Sequence, residues 1–193
     1  MDLLEIYRRS LAEFVDRVEQ VGSGQWSAPT PCTGWDVRTL VGHVVGEARW
    51  SVPLLAGRTV AEVGDRFDGD QLGADPVASA REAASQAEIA ASRPGTLART
   101  VHLSSGDAPA AEYVQQLVAE HLVHGWDLAV AIGDAPGLDA DAVRACARWF
   151  AGHAEAYRRA RLTRAGVPLP ADAGEQDRLI AAFGRDPRWT PAG

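Results

Sequence analysis

The chain has 193 residues, of which 46% are hydrophobic and 23% are charged, a composition typical of a globular protein with one core. Its formal net charge of −7 argues against binding to nucleic acid or to an anionic membrane surface, because both need a basic face. All 19 basic residues are arginine, so the chain offers no lysine for Schiff-base chemistry.

The compartment follows from three features of the sequence. Charged residues within the first ten positions do not fit a signal peptide. No apolar run reaches the roughly 18 residues that a membrane span requires. The two cysteines, Cys32 and Cys146, are too few for a disulfide framework. We therefore expect a cytoplasmic protein.

Apolar residues at helical spacing predict three helices in the first half of the chain. The first covers residues 2–21. Asp36 is placed to cap a second helix that runs to about Ala56. Residues 57–75 look irregular, and Asp75-Pro76 then begins an alanine-rich third helix that reaches Ser92.

The second half of the chain predicts three further helices. Residues 97–103 are expected to be extended without forming a sheet. Asp107 is expected to open a fourth helix over 108–132, Asp139 a fifth over 140–164, and a short sixth covers 174–183. These elements predict an all-α four-helix bundle with long connections. We expect residues 1–193 to form a single domain, with 165–193 as a tail that carries the short helix.

Residues 119–128 form the most informative stretch of the sequence. Glu120 and His124 are four apart, so on a helix they lie on one face, about one turn from each other. A carboxylate and an imidazole in an apolar interior are costly unless they are paired, and a divalent metal ion would satisfy both. His43, on an otherwise apolar face of the second helix, is the best candidate for a third ligand.

Other interpretations of these residues stay open at this point. A carboxylate and a histidine four apart are commonly a solvated surface pair, and a single histidine such as His43 is commonly a core residue. His121 is either a rival ligand or a rim residue, and Asp127 is placed to hydrogen-bond a ligand histidine. Cys32 precedes a helix N-terminus, but the burial habits of cysteine favour a buried small apolar residue.

Three segments resemble a known family. The segments PCTGWDVRTLVGH, at residues 31–43, and EHLVHGWD, at 120–127, resemble the DinB-like, mycothiol-dependent maleylpyruvate isomerase superfamily. Residues 177–187, which contain DRLI and FGRDP, resemble the C-terminal signature of an actinobacterial subgroup of metal-binding proteins. The resemblance spans most of the chain.

The resemblance implies a DinB-like four-helix bundle that holds a metal with His43, Glu120 and His124, and it implies mycothiol as a co-substrate. The isomerase of this family carries an additional C-terminal domain, and we expect the tail over 165–193 to be too short for one. The resemblance therefore implies the metal centre more directly than it implies maleylpyruvate isomerisation.

Two histidines and one carboxylate leave open positions on a divalent ion. This set is typical of catalytic zinc and also of non-haem iron(II), and nickel and manganese stay open. We hypothesise a thiol-dependent transferase or isomerase whose partners are a small electrophilic substrate and a low-molecular-weight thiol. The alternatives are a non-catalytic metal- or ligand-binding bundle and a metal-free bundle in which Glu120 and His124 pair. Formation of a homodimer is left open.

Overall fold

The computed structural model describes residues 2–160, 163 and 165–191. Its elements, in chain order, are α1 (Leu3–Glu19), α2 (Val37–Leu55), α3 (Val60–Val63), α4 (Pro76–Ser92), a 3₁₀ turn (Thr96–Ala98), β1 (Thr100–Leu103), β2 (Gly106–Pro109), α5 (Ala110–Ile132), α6 (Ala140–Ala151), α7 (Ala154–Arg159) and α8 (Glu175–Ala182).

Four of these helices form the bundle. Both α1 and α2 pack against α4 and against α5, which closes a ring in the order α1, α4, α2, α5. The face that α4 buries consists of alanines, and their small side chains let its backbone approach α1 and α2 closely. The predicted all-α four-helix bundle is confirmed.

Three predicted helix starts are confirmed by their caps. Asp36, Asp75 and Asp139 each accept a hydrogen bond from the backbone N–H three residues further on, at 2.8, 3.0 and 2.8 Å. Such a cap satisfies one of the backbone donors that a helix leaves free at its start and contributes about 1 kcal/mol. The caps fix where α2, α4 and α6 begin.

The expectation of no sheet around residues 97–103 is wrong, because β1 and β2 pair as an antiparallel hairpin. Asp107 consequently lies in β2 and does not cap the following helix. Its carboxylate lies 2.7 Å from Nδ1 of His102 on the opposite strand. Pro109 precedes the first residue of α5 instead. The segment 57–75, expected to be irregular, also contains the short helix α3.

The single helix predicted over 140–164 is wrong as well. The helix is interrupted at Gly152 and His153, between α6 and α7. Nδ1 of His153 donates to the carbonyl oxygen of Trp149 at 2.8 Å, and its Nε2 lies 3.0 Å from the carboxylate of Glu112 on α5. These contacts tie the interruption to the bundle. The end predicted for that helix, Arg164, lies outside the described residues.

The C-terminal part packs back onto the bundle through α6. The short helix predicted over 174–183 is confirmed as α8, which packs against α6. Just after it, the ring of Phe183 stacks on Phe150 with centroids 3.9 Å apart. None of the described helices combines the length and the apolar character needed to cross a lipid bilayer.

Candidate metal centre

The three predicted ligands lie together between α2 and α5. Oε2 of Glu120 is 3.3 Å from Nε2 of His43 and 3.0 Å from Nε2 of His124. All three donor atoms lie within 4.8 Å of one another. Helix α2 supplies one donor and α5 supplies two, one turn apart, so the packing of these two helices brings the atoms to a common point.

The spacing of these atoms fits a divalent ion. A tetrahedral ion with bonds of about 2.0–2.1 Å separates its ligand atoms by roughly 3.3 Å, which equals the distance from Glu120 to His43 and is slightly longer than the 3.0 Å from Glu120 to His124. Two imidazole nitrogens also face the same carboxylate oxygen. Electron pairs on nitrogen and on a carboxylate repel unless a cation, either a proton or a metal ion, lies between them.

The charges of the site are coupled through this carboxylate. Burial by itself would raise the pKa of Glu120, but the hydrogen bonds from His124 and His43 hold it well below its usual range. Burial would lower the pKa of His124, but hydrogen bonds to Asp127, Cys32 and Glu120 raise it well above its usual value. A metal ion bound here would displace a proton from His124, and its affinity would therefore rise with pH.

A second cluster lies against the other nitrogen of the His124 ring. Nδ1 is 3.0 Å from Oδ2 of Asp127, whose side chain is completely buried. The same oxygen lies 3.0 Å from Nη2 of Arg185 and 3.2 Å from the thiol of Cys32. Burial would raise the pKa of Asp127, but His124 and Arg185 lower it overall. Asp127 therefore holds the ring in the way the sequence suggested.

Two members of this cluster were missed or misjudged in the sequence. Cys32 is half-buried and packs against the core, but its thiol also contacts Oδ2 of Asp127, so the interpretation as a simply buried apolar residue is only partly right. Its thiol is 3.3 Å from Nη2 of Arg185, which lies 153 positions further along the chain. No local pattern connects residues at that separation. The only available signal was that the segments 31–43 and 177–187 both carried the family resemblance.

His121 faces away from this site, into the core between α5 and α1. Its Nδ1 lies 3.0 Å from Oγ of Ser10, and its ring stacks on Tyr7 with centroids 5.5 Å apart. Burial lowers the pKa of His121 to about 4. The interpretation as a rim residue is wrong, because the side chain is buried in the bundle.

The three candidate ligands line a cavity of about 860 Å³. This volume lies in the usual range for small-molecule sites, about 300–1,000 Å³. The ring of Trp35 packs against both histidine rings, with centroids 5.0 Å from His43 and 5.9 Å from His124. Trp35 also lines the cavity, so its ring forms part of the wall beside both imidazoles.

Three further sets of residues line the same cavity. One turn after His43, Glu47 lies in the wall, where burial raises the pKa of its carboxyl although His43 opposes the shift. Apolar side chains line another part of the cavity, and the C-terminal region contributes further residues. The apolar residues include Trp50, Leu54, Val60 and Leu103, and the C-terminal ones are Tyr157, Arg158, Thr163, Phe183, Gly184 and Arg185.

The chain is similar in sequence to a known domain family and to two known proteins. The sequence profile described as the mycothiol maleylpyruvate isomerase N-terminal domain matches residues 7–129. Two uncharacterized proteins of Mycobacterium tuberculosis, from strains CDC 1551 / Oshkosh and ATCC 25618 / H37Rv, are each 31% identical over 143 residues. The alignment covers 72% of this chain and 72% of each relative.

Two solved structures are similar in fold. The crystal structure of the mycothiol-dependent maleylpyruvate isomerase has a TM-score of 0.50 at 14% identity, and that of a mutant of the enzyme 0.55 at 15%. Each match covers 66% of this chain and 61% of the other, so the chain spans less than two thirds of the isomerase's length. At this identity the likeness concerns the fold alone.

Proposed function

The chain belongs to the mycothiol maleylpyruvate isomerase N-terminal domain family, and from this premise we propose that it binds one divalent metal ion through His43, Glu120 and His124. The ion serves a thiol-dependent isomerisation or transfer on a small electrophile, with mycothiol as the thiol. Zinc is the metal we propose first, with iron(II), nickel and manganese as the other ions that accept this donor set.

The observation that carries this proposal is the convergence of the three donors at the wall of a large cavity. Structural zinc sites are closed by four protein ligands, whereas catalytic sites combine three protein ligands with an open position. Three donors beside a cavity favour the catalytic arrangement. His43 lies 3.3 Å from the same carboxylate oxygen as His124, so the carboxylate faces two imidazoles and not the single partner of a simple pair.

Each neighbouring residue has a distinct part in the proposed reaction. When bound, the metal supplies a Lewis acid that favours the thiolate form of the thiol and polarises a carbonyl group. Asp127 fixes the orientation of His124 through Nδ1. Trp35 packs against both imidazoles and limits their movement. The apolar wall holds the carbon skeleton of the substrate next to the donors.

We also propose that residues 1–193 act as one domain. The support is that α6 packs against α5, α8 packs against α6, and Arg185, which follows α8, contacts Asp127. The C-terminal part thus contributes to the surroundings of the site as well as to the fold.

The first experiment is elemental analysis of the purified protein and of His43→Ala. We expect about one divalent metal ion, such as zinc, per chain in the parent protein and almost none in the variant. His102→Ala is the matched control, since that histidine pairs with Asp107 on the hairpin, and it should retain the metal. Full metal content in His43→Ala would contradict the proposed ligand set.

The second experiment measures consumption of mycothiol by the metal-loaded protein, with maleylpyruvate and then other small electrophiles. Metal-dependent turnover that His43→Ala abolishes is the expected result. A fully metallated protein that turns over none of them would favour the second candidate function, a non-catalytic metal- or ligand-binding bundle.

A further inference from the structure

His124 belongs to two groups of potential metal ligands at once. Through Nε2 it joins Glu120 and His43. Through Nδ1 it joins Asp127 and Cys32, at 3.0 and 3.8 Å, and these three donor atoms also lie within 4.8 Å of one another. The second group contains a thiol, which zinc and other borderline or soft metals bind well. By donor type alone, it is a serious competitor for the ion.

The two groups exclude each other in the neutral form of the ring. A neutral imidazole has one N–H and one free electron pair. If Nδ1 donates its proton to Asp127, the free pair lies on Nε2 and is available to a metal beside Glu120. A metal on the Cys32 side would need the opposite arrangement. A further interaction in the protein must therefore determine which of the two donor groups binds the metal.

Arg185 already places a cation in the second group. Its Nη2 lies 3.0 Å from Oδ2 of Asp127 and 3.3 Å from the sulfur of Cys32, and its Nε lies 3.3 Å from both carboxylate oxygens. Nη1 donates to the carbonyl oxygen of Phe183 at 3.1 Å, which fixes the plane of the guanidinium. Its charge is permanent, and the side chain is only 16% exposed.

We propose that Arg185 is a positioning residue that selects between the two donor groups. Its guanidinium takes the cation position beside Cys32 and Asp127, and so directs the metal to His43, Glu120 and His124. This inference rests on the proposed function, which assigns the metal to the group of His43, Glu120 and His124. It gives the segment after α8 a role in choosing the ligands, although that segment lies outside the matched residues 7–129.

The test is the absorption spectrum of the cobalt(II)-substituted protein, because a thiolate bound to cobalt gives an intense near-ultraviolet charge-transfer band. The parent protein should bind cobalt without this band. Arg185→Met should acquire it, because loss of the guanidinium opens the Cys32 and Asp127 donors to the ion. The double variant Cys32→Ser with Arg185→Met should lose the band again. Arg185→Lys keeps a cation and should resemble the parent.

Cys32→Ser alone provides a measurement that does not depend on removing a buried charge. It should leave cobalt affinity within about twofold of the parent, since the thiol is not a ligand while Arg185 is present. A thiolate band in the parent, a folded Arg185→Met without the band, or a tenfold loss of affinity in Cys32→Ser would each overturn the proposal. A parent protein that binds no cobalt would overturn the proposed function, and this selection with it.

Discussion

His121 and His124 lie one turn apart on α5 and are almost equally buried, with 2% and 7% of the residue exposed. Their environments nevertheless have opposite effects, since the pKa of His121 is lowered and that of His124 is raised. The first ring packs against α1 beside a neutral serine, and the second stands between two carboxylates. Burial therefore does not distinguish a core histidine from a candidate ligand in this helix, whereas the charged partners within reach do.

Asp127→Asn removes one of the two carboxylates that raise the pKa of His124. Of the substitutions proposed here, we expect it to have the largest effect on metal affinity and on stability. Loss of such an outer partner typically lowers metal affinity about 10- to 100-fold. The variant also leaves Arg185 without its buried partner, which costs about 3 kcal/mol of unfolding free energy. Competition with a chelator and urea denaturation measure the two quantities.

Asp107→Asn is the matched control for this change, because its carboxylate pairs with the more exposed His102 on the hairpin. An exposed pair of this kind contributes at most about 1 kcal/mol, and its loss should not alter metal affinity. Unchanged metal affinity in Asp127→Asn would mean that the distinction between the two histidines does not depend on that carboxylate.

The pH dependence of the stability of the metal-free protein tests the role of His121, the second histidine of the comparison. In the unfolded chain His121 binds a proton near pH 6.5, whereas in the folded chain its pKa is about 4. The unfolded state therefore holds more protons between these values, and stability falls as the pH drops through this window, by roughly 3 kcal/mol in total.

His121→Phe keeps an aromatic ring beside Tyr7 and should remove this part of the pH dependence. The measurement is the unfolding free energy of the parent and the variant from pH 7 to pH 4, with metal removed. The difference between the two curves isolates His121 from the other titrating groups. Parallel curves would show that burial of this ring carries no proton linkage.

Of the substitutions Asp127→Asn, His121→Phe and Ser10→Ala, the last should have the smallest effect on the free energy of unfolding. Oγ of Ser10 donates its proton to the carbonyl oxygen of Tyr7 at 2.9 Å, so Nδ1–H of His121 is the donor in the contact between the two side chains. Removing the hydroxyl leaves that donor buried without its acceptor, at a cost of about 1–2 kcal/mol. In the His121→Phe background the same change should cost less, and equal costs would contradict this assignment of the proton.

Helical periodicity was sufficient to predict the bundle, and acidic caps marked the starts of α2, α4 and α6. The hairpin was missed because each strand has only four residues and β2, Gly-Asp-Ala-Pro, is poor in β-forming residues. The interruption at Gly152 was missed for a different reason. His153 is held there by Glu112 of α5, a tertiary contact that no local pattern reveals.

For the candidate site, the four-residue spacing predicted that Glu120 and His124 share one helix face, and the family resemblance agreed with His43 as the third predicted ligand. The sequence could not supply the contact between Cys32 and Arg185. That contact depends on how α8 packs against α6 and returns the chain towards α5. Candidate ligands on one helix can be predicted from their spacing in the sequence. Contacts between distant segments, such as that of Cys32 with Arg185, can be found only from the packing of the helices.

X-ray absorption of the zinc-loaded protein without added thiol tests the central claim most directly. The account predicts imidazole scattering and a first shell made only of nitrogen and oxygen, at about 2.0–2.1 Å. A sulfur neighbour at about 2.3 Å would place the metal on Cys32 instead. A shell without imidazole scattering would contradict the proposed metal centre altogether.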